Sequence, residues 1–270
     1  MRRHGLLAGA LAALAAALAL AFLVLPVAAI FLRVPPGTLL HQLSSGVVTD
    51  ALVVSVKTSL IAQGLILVLG TPLAYLLASR RFRGRELVIT LVELPLVLPP
   101  AVAGLGLLAA FGRAGLLGTS IPFTQTAVVL AVAFVASPLY IRQAIAAFEA
   151  VDRDVVAASR TLGAGPTKTF FRIVLPLARG GLAAGEALAF ARGLGEFGAT
   201  IMFAGNLPGR TQTAPLAIYA SLDQDFDVAL ALGALLVVFS IAVLLASKVI
   251  PSWTRSASTS IFLFGRSPSS

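Results

Sequence analysis

Five ionisable side chains, Lys57, Glu93, Glu186, Arg192 and Glu196, stand inside long apolar stretches of a 270-residue chain. Charge in such surroundings is costly, so these residues either pair with one another, reach an interface, or serve an ion in transit. Arg192 and Glu196 are four apart, the spacing of an ion pair on one helix, while Lys57, Glu93 and Glu186 lie near ends of their stretches. Arg192 and Glu196, inside the fifth stretch, are as much functional candidates as a plain ion pair. Other chemistries are poorly served. The chain has no cysteine, hence no disulfide, thiolate nucleophile or thiolate metal site. Its two histidines, His4 and His41, are not at ligand spacing. The run Gly163-Ala164-Gly165-Pro166-Thr167-Lys168-Thr169 faintly resembles a phosphate-binding loop. That loop needs glycine immediately before its lysine; Thr167 holds the place here, and Pro166 lacks an amide donor.

The elements around these residues follow from composition. Hydrophobic residues make up 58% of the chain and charged residues 11%, against about 25% in a soluble domain; mean hydropathy is +0.98. This is an all-α polytopic membrane protein with little room for a soluble catalytic domain. Six stretches, at 6–32, 51–78, 87–111, 127–148, 182–204 and 228–250, are each long enough to span a bilayer as a helix. The first follows Met1-Arg2-Arg3-His4 like a signal peptide, but its length exceeds the apolar region of one, so it is read as an uncleaved span.

A net charge of +9 would suggest nucleic acid in a soluble protein. Here the basic residues sort by side. Arg2, Arg3, the Arg80-Arg81-Phe82-Arg83-Gly84-Arg85 loop, the 142–179 segment and a tail with Lys248, Arg255 and Arg266 fall on one side, and only Arg33, Arg113 and Arg210 on the other. The positive-inside rule makes the first set cytoplasmic, with both termini; the charge marks topology, and no nucleic acid is required.

Prolines interrupt the apolar stretches at Pro26, Pro72, Pro95, Pro99, Pro100 and Pro138. Leu94-Pro95-Leu96-Val97-Leu98-Pro99-Pro100, followed by Gly104 and Gly106, predicts a kinked or broken third span. Irregular backbone at membrane depth is tolerated where it is buried or lines a cavity, as in transporters, or as a packing kink. Pro99 and Pro100 therefore join Arg192 and Glu196 as candidates for a path or gate.

The connection at about 149–181 is too long for a plain link. Val151, Val155, Val156, Ala158 and Leu162 recur at helical intervals between Asp152, Arg153, Asp154 and Arg160. Gly163 and Gly165 supply a stop, Pro166 opens a second helix, and Pro176 is expected to close it, with Phe170, Phe171 and Ile173 anchoring the segment. Two short helices around a glycine turn suit docking on another protein, or packing on the chain's own spans.

Gly163, nine residues, then Ile173-Val174-Leu175-Pro176 resembles the cytoplasmic motif of ABC importer permeases, in which a Glu-Ala-Ala triplet precedes the glycine. The triplet falls on Ala157, Ala158 and Ser159, keeping its middle residue and lacking the acid. Longer strings, 94–104, Phe111-Gly112-Arg113-Ala114-Gly115-Leu116-Leu117-Gly118, Gly195-Glu196-Phe197-Gly198-Ala199-Thr200 and 203–213, resemble molybdate permeases of the molybdate and sulfate branch, over about 50–250.

The resemblance implies a type I importer transmembrane fold: a first helix and external loop at 1–50, the transmembrane domain at 51–250, and a cytoplasmic tail at 251–270. It implies a pair of permease copies in lipid, a cytoplasmic ATPase dimer holding ATP and Mg, and an extracytoplasmic oxyanion-binding protein. The chain itself would be no enzyme and bind no cofactor. Ala157, Ala158, Ser159, Gly163, Ile173, Leu175 and Pro176 would couple to the ATPase, and Asn206, Arg210 and Gln212 would dock the binding protein. Sulfate, thiosulfate or tungstate are alternative cargoes; an ATP-independent channel or secondary transporter is the alternative of another class, though it would leave the cytoplasmic motif unexplained.

Overall fold

The computed structural model describes residues 2–35, 37, 41–42 and 45–262. Residues 263–270 of the expected tail, with Arg266, lie outside the described residues, as do the side chains of Arg2, Arg3, His4, Lys248 and Arg255. Among the described residues five helices are long and apolar enough to cross a membrane, and a bent pair of shorter helices passes the same test together.

The first helix, α1 (Arg2–Arg33), exposes its apolar side chains along the length described. Helix α2 (Gly46–Ser79) starts where the Ser45 hydroxyl accepts the Val48 N–H at 3.4 Å, and ends in extended backbone at Arg80. Gly84, with φ of 91°, turns the chain into α3 (Arg85–Val97). Leu98 and Pro99 are extended, Pro100 takes the first position of α4 (Pro100–Phe111), and the two helices meet at 114°. The proline-rich third stretch is thus a broken span, because Pro99 and Pro100 cannot donate the two N–H groups that would carry α3 onward.

Helix α5 (Gln125–Glu149), capped by the Thr124 hydroxyl on the Ala127 N–H, is the centre of the molecule. It has α2 against one side and α7 (Pro166–Leu194) against another. The close approach of α5 and α7 rests on a four-residue repeat. A side-chain carbon added at Gly181 would meet Ala147, at Gly185 Gln143 at 2.8 Å, and at Gly193 Val132 at 2.8 Å, while Ala189 completes the stripe fully buried. Small residues at this interval let helices approach closely where lipid supplies no hydrophobic drive. Gly185→Val is expected to destabilise the bundle by about 1–3 kcal/mol, the usual cost of overpacking. Thermal unfolding in detergent would show a lower Tm, and Gly64→Ala, which faces open space on α2, serves as the control that does not lower it, alanine being the better helix former by about 0.5–1 kcal/mol.

Two expectations need correction. The second helix of the cytoplasmic segment does not stop at Pro176 but runs on to Leu194. A wide turn over Phe170–Val174 precedes the proline, and the Leu175 N–H reaches back five residues to the Phe170 carbonyl. Widening the helix there makes room for the Pro176 ring, which would otherwise clash with the carbonyl four residues earlier. The fifth apolar stretch likewise starts earlier than expected and ends at Leu194, followed by a separate helix, α8 (Gly198–Ala204). Gly193 and Gly195 end α7 there. The chain continues through α9 (Ala214–Ser221) and α10 (Phe226–Phe262), which extends through residues 251–262.

Candidate functional site

The hairpin expected on the cytoplasmic side consists of α6 (Arg153–Thr161) and the first turns of α7. Asp152 caps α6, its Oδ1 accepting the Asp154 N–H at 2.8 Å. Gly163, with φ of 83°, ends it. Its N–H donates to the Arg160 carbonyl and that of Ala164 to the Ser159 carbonyl, the paired bonds of a glycine-terminated helix. A residue with a Cβ would be strained there.

Ser159 and Thr169 are both buried and share a hydrogen bond at 3.2 Å, while Ser159 also donates to the Val156 carbonyl at 2.8 Å. The position where the Glu-Ala-Ala pattern ends on serine therefore pins the two halves of the hairpin together. Ser159→Ala leaves the buried Thr169 hydroxyl with only a long contact to the Ala164 carbonyl. The expected cost is about 1–3 kcal/mol, felt locally, so hydrogen exchange of 153–165 should speed up while that of α5 does not.

Phe170 turns inward, with ring centroids 4.7 Å from Tyr75 of α2 and 6.1 Å from Phe148 of α5. Phe171, expected to share that anchoring, points outward at 61% exposure; Val155, Ala157, Ala158 and, at 87%, Leu162 of the hairpin are exposed as well. The hairpin is thus tied to its own spans through Phe170, Val174 and the Ser159–Thr169 bond, and presents a small apolar surface outward.

At the other end of α7 the second group of candidates meets. Arg192 Nη1 lies 2.8 Å from Glu196 Oε2, and the Glu196 side chain is 1% exposed. The other carboxylate oxygen accepts the Ala199 N–H at 2.8 Å, so Glu196 holds Arg192 and the start of α8 at once. Helix α8 packs on α4 through glycines: a Cβ at Gly198 would collide with Pro100, and one at Gly104 would fall 2.6 Å from Met202 and 2.7 Å from the Ala199 carbonyl oxygen. The break at Pro99 and Pro100 and the break at 195–197 are therefore in contact next to the ion pair. Gln63, buried on α2, brings its amide nitrogen against Gly193 with neither polar atom hydrogen-bonded among the described residues.

The remaining intramembrane charges are accounted for individually. Glu93 pairs with Arg142 at 3.1 Å, joining α3 to α5, and Lys57 donates to the Gln125 side chain at 2.9 Å. Glu186 keeps one buried carboxylate oxygen without a hydrogen bond among the described residues. On the far side from the hairpin, the loop after α8 is closed by the N–H groups of Arg210, Thr211 and Gln212, all donating to the Leu207 carbonyl. Gln212 is 6% exposed and Asn206 donates to the Leu216 carbonyl at 3.4 Å, so Arg210 alone of the three projects freely.

Sequence reasoning missed the Thr169 partner of Ser159, the Gly181, Gly185, Ala189, Gly193 stripe and the capping of α8 by Glu196. The stripe was visible as a four-residue repeat and the Glu196 cap as an acidic residue three before Ala199; the Ser159–Thr169 bond joins two helices and carries no such local signal.

Comparison with known proteins adds three findings. Residues 70–256 match the family model described as binding-protein-dependent transport system inner membrane component. A molybdenum transport system permease protein of Mycobacterium tuberculosis is 42% identical over 231 residues, covering 83% of this chain and 88% of that protein. The Escherichia coli K12 protein of the same name is 41% identical over 212 residues, covering 76% and 92%. Among solved structures, the inward-facing MetNI methionine ABC transporter matches with a TM-score of 0.62 over 76% of this chain and 95% of that one, at 19% identity, a likeness of fold.

Proposed function

The chain belongs to the family of binding-protein-dependent transport system inner membrane components, and from that premise we propose that it forms the membrane path of an ATP-driven molybdate importer. Two copies would enclose the path, a cytoplasmic ATPase dimer would supply the energy, and an extracytoplasmic binding protein would deliver the anion. ATP and Mg would sit on the ATPase, so this chain does no bond chemistry; it converts one subunit's closure into its own rearrangement. Molybdate as the cargo is supported by relatives at about 42% identity over most of both chains that bear the name of molybdenum permeases.

The observation that carries the mechanism is the continuity of α7. Its first turns belong to the hairpin and its last to the Arg192–Glu196 pair, and the helix runs on through the widened turn at Phe170–Val174 over 29 residues. At 1.5 Å per residue that is about 43 Å, close to the full thickness of a bilayer with its headgroups. The ATPase-facing surface and the contact between the two broken helices are thus opposite ends of one packed rod. Displacing the hairpin displaces the Arg192 end with it, because the glycine stripe holds α7 rigidly against α5. ATP favours one arrangement only if the ATPase binds the hairpin better in that arrangement, since equal affinity for both shifts nothing.

The same geometry explains how a dianion is moved without being trapped. Arg192 is neutralised by Glu196, and Glu93 by Arg142. An anion passing either pair would meet a paired arginine, which supports leaving selection to the binding protein. Uptake into proteoliposomes holding permease, ATPase and binding protein, with tungstate and sulfate as competitors, tests the cargo. Molybdate uptake resisting excess sulfate is expected; uptake driven by sulfate alone would overturn it.

Orientation is tested on the cysteine-free background. Arg83→Cys, in the exposed loop between α2 and α3, is expected to resist a membrane-impermeant thiol reagent in intact cells and to react once the cytoplasmic side is opened. Labelling from outside would invert the topology.

A further inference from the structure

External loops of a membrane protein ordinarily shed basic residues. Of the three that the sequence leaves there, Arg113 and Arg210 line one cavity of about 490 Å³, together with Gly112, Ser120, Phe123 and Thr124. Topology gives no reason for two arginines to converge on that side. Neither guanidinium has an acidic partner within the described residues. Asp50, 3.6 Å from where a Cβ at Gly209 would lie, is the acidic group nearest the Arg210 turn by that measure.

The backbones that carry the two arginines are fixed while their side chains are free. The Gly112 N–H donates to the Leu108 carbonyl, the N–H groups of Leu116 and Leu117 return to Ala109 and Ala110, and the Phe123 N–H donates to Phe203 of α8. Arg210 sits on the turn closed at the Leu207 carbonyl. Phe123 between them holds φ of 63°, a left-handed conformation that a bulky residue adopts only under strain. Its ring rests against Gly205, where a Cβ would come within 2.9 Å. Strain of this kind is retained where surrounding structure enforces it, and it concentrates at binding sites.

We propose that Arg113 and Arg210 form a receiving site for a tetrahedral oxyanion at the external mouth, where the anion waits between the binding protein and the path. This rests on the oxyanion-importer reading given above. Two guanidinium groups and the Ser120 hydroxyl around a concavity suit a small anion that accepts hydrogen bonds on every face, while the Thr124 hydroxyl is spent on the Ile121 carbonyl. At about 30 Å³ per water in the liquid, the cavity has room for the anion with much of its hydration, which favours passing it on over holding it. A protein-docking patch centres on several desolvated apolar anchors; here Phe123 is the one large apolar side chain of the lining that is more than half exposed, and the more exposed Leu116 and Leu117 lie outside it.

The test uses the full complex with loaded binding protein in proteoliposomes, comparing wild type with Arg113→Gln, Arg210→Gln and the double variant. Arg33→Gln, the external arginine outside the cavity, is the control. Each cavity variant is expected to lower molybdate uptake about tenfold, the worth of one charge-assisted hydrogen bond. Co-purification of the ATPase should stay unchanged and Arg33→Gln should transport normally; affinity for the binding protein should also hold, because the receiving site takes Arg210 in place of the docking role that the resemblance implies for it. Unaltered uptake in the double variant overturns the receiving site while leaving the importer reading intact. Loss of binding-protein affinity in either variant overturns it in favour of a docking contact. Absence of oxyanion uptake by the wild type defeats the importer reading itself.

Discussion

Replacing Arg192 with alanine is expected to cost about 3 kcal/mol of stability and to abolish transport. Removing one partner of a buried ion pair leaves the other charge uncompensated, at about 3–5 kcal/mol; the lower end applies because Arg192 keeps 35% of its side-chain surface exposed. Glu196 would retain only the Ala199 N–H, and α8 would lose its fixed relation to α7. Loss of assembled complex alone would be compatible with a purely structural pair, so a second variant separates the roles. Glu196→Gln preserves shape and an oxygen for the Ala199 N–H while removing the charge. Its expected signature is an assembled complex whose ATP hydrolysis no longer responds to loaded binding protein and whose uptake falls at least about tenfold, one hydrogen-bonded charge's worth. Normal uptake and normal coupling in Glu196→Gln would remove the pair from the gate.

Leu162→Glu is expected to give the second large effect, through a different route. Leu162 is 87% exposed on the hairpin, so the substitution disturbs little within this chain, and Tm of the isolated permease should be unchanged. Buried against an ATPase groove, the same carboxylate would be unpaired and desolvated, at several kcal/mol. That corresponds to a loss of ATPase affinity of at least about a hundredfold. Phe171→Glu, at 61% exposure, should behave alike. A permease that folds normally and still co-purifies with its ATPase after both changes would move the docking surface elsewhere.

What could be read from the sequence, and what could not, divides along a physical line. Features set by local composition were legible: the apolar stretches, the broken third span at Pro99 and Pro100, the Gly163 turn, and the pairing of Arg192 with Glu196 four residues on. Pro176 misled because a proline reads as a helix end, whereas the widened turn at Phe170–Val174 absorbs its ring and lets α7 continue. Ser159 looked like a mere departure from a pattern, since its partner Thr169 lies on the next helix. Phe171 was grouped with Phe170 although neighbours on a helix face different ways. Gln212 was chosen for polarity alone, and the fold buries it. For Ser159 and Gln212 the missing information was a contact between segments, which residue type does not encode; for Pro176 and Phe171 it was the local path and facing of the helix itself.

Energy conversion through α7 is tested most directly by ATP-dependent molybdate uptake in proteoliposomes that hold permease, ATPase and binding protein, comparing wild type with Leu162→Glu. Uptake by wild type that needs both ATP and binding protein, and that disappears in Leu162→Glu while the permease remains folded, is the expected result. Uptake that proceeds without ATP, or that survives the hairpin substitution, would contradict it.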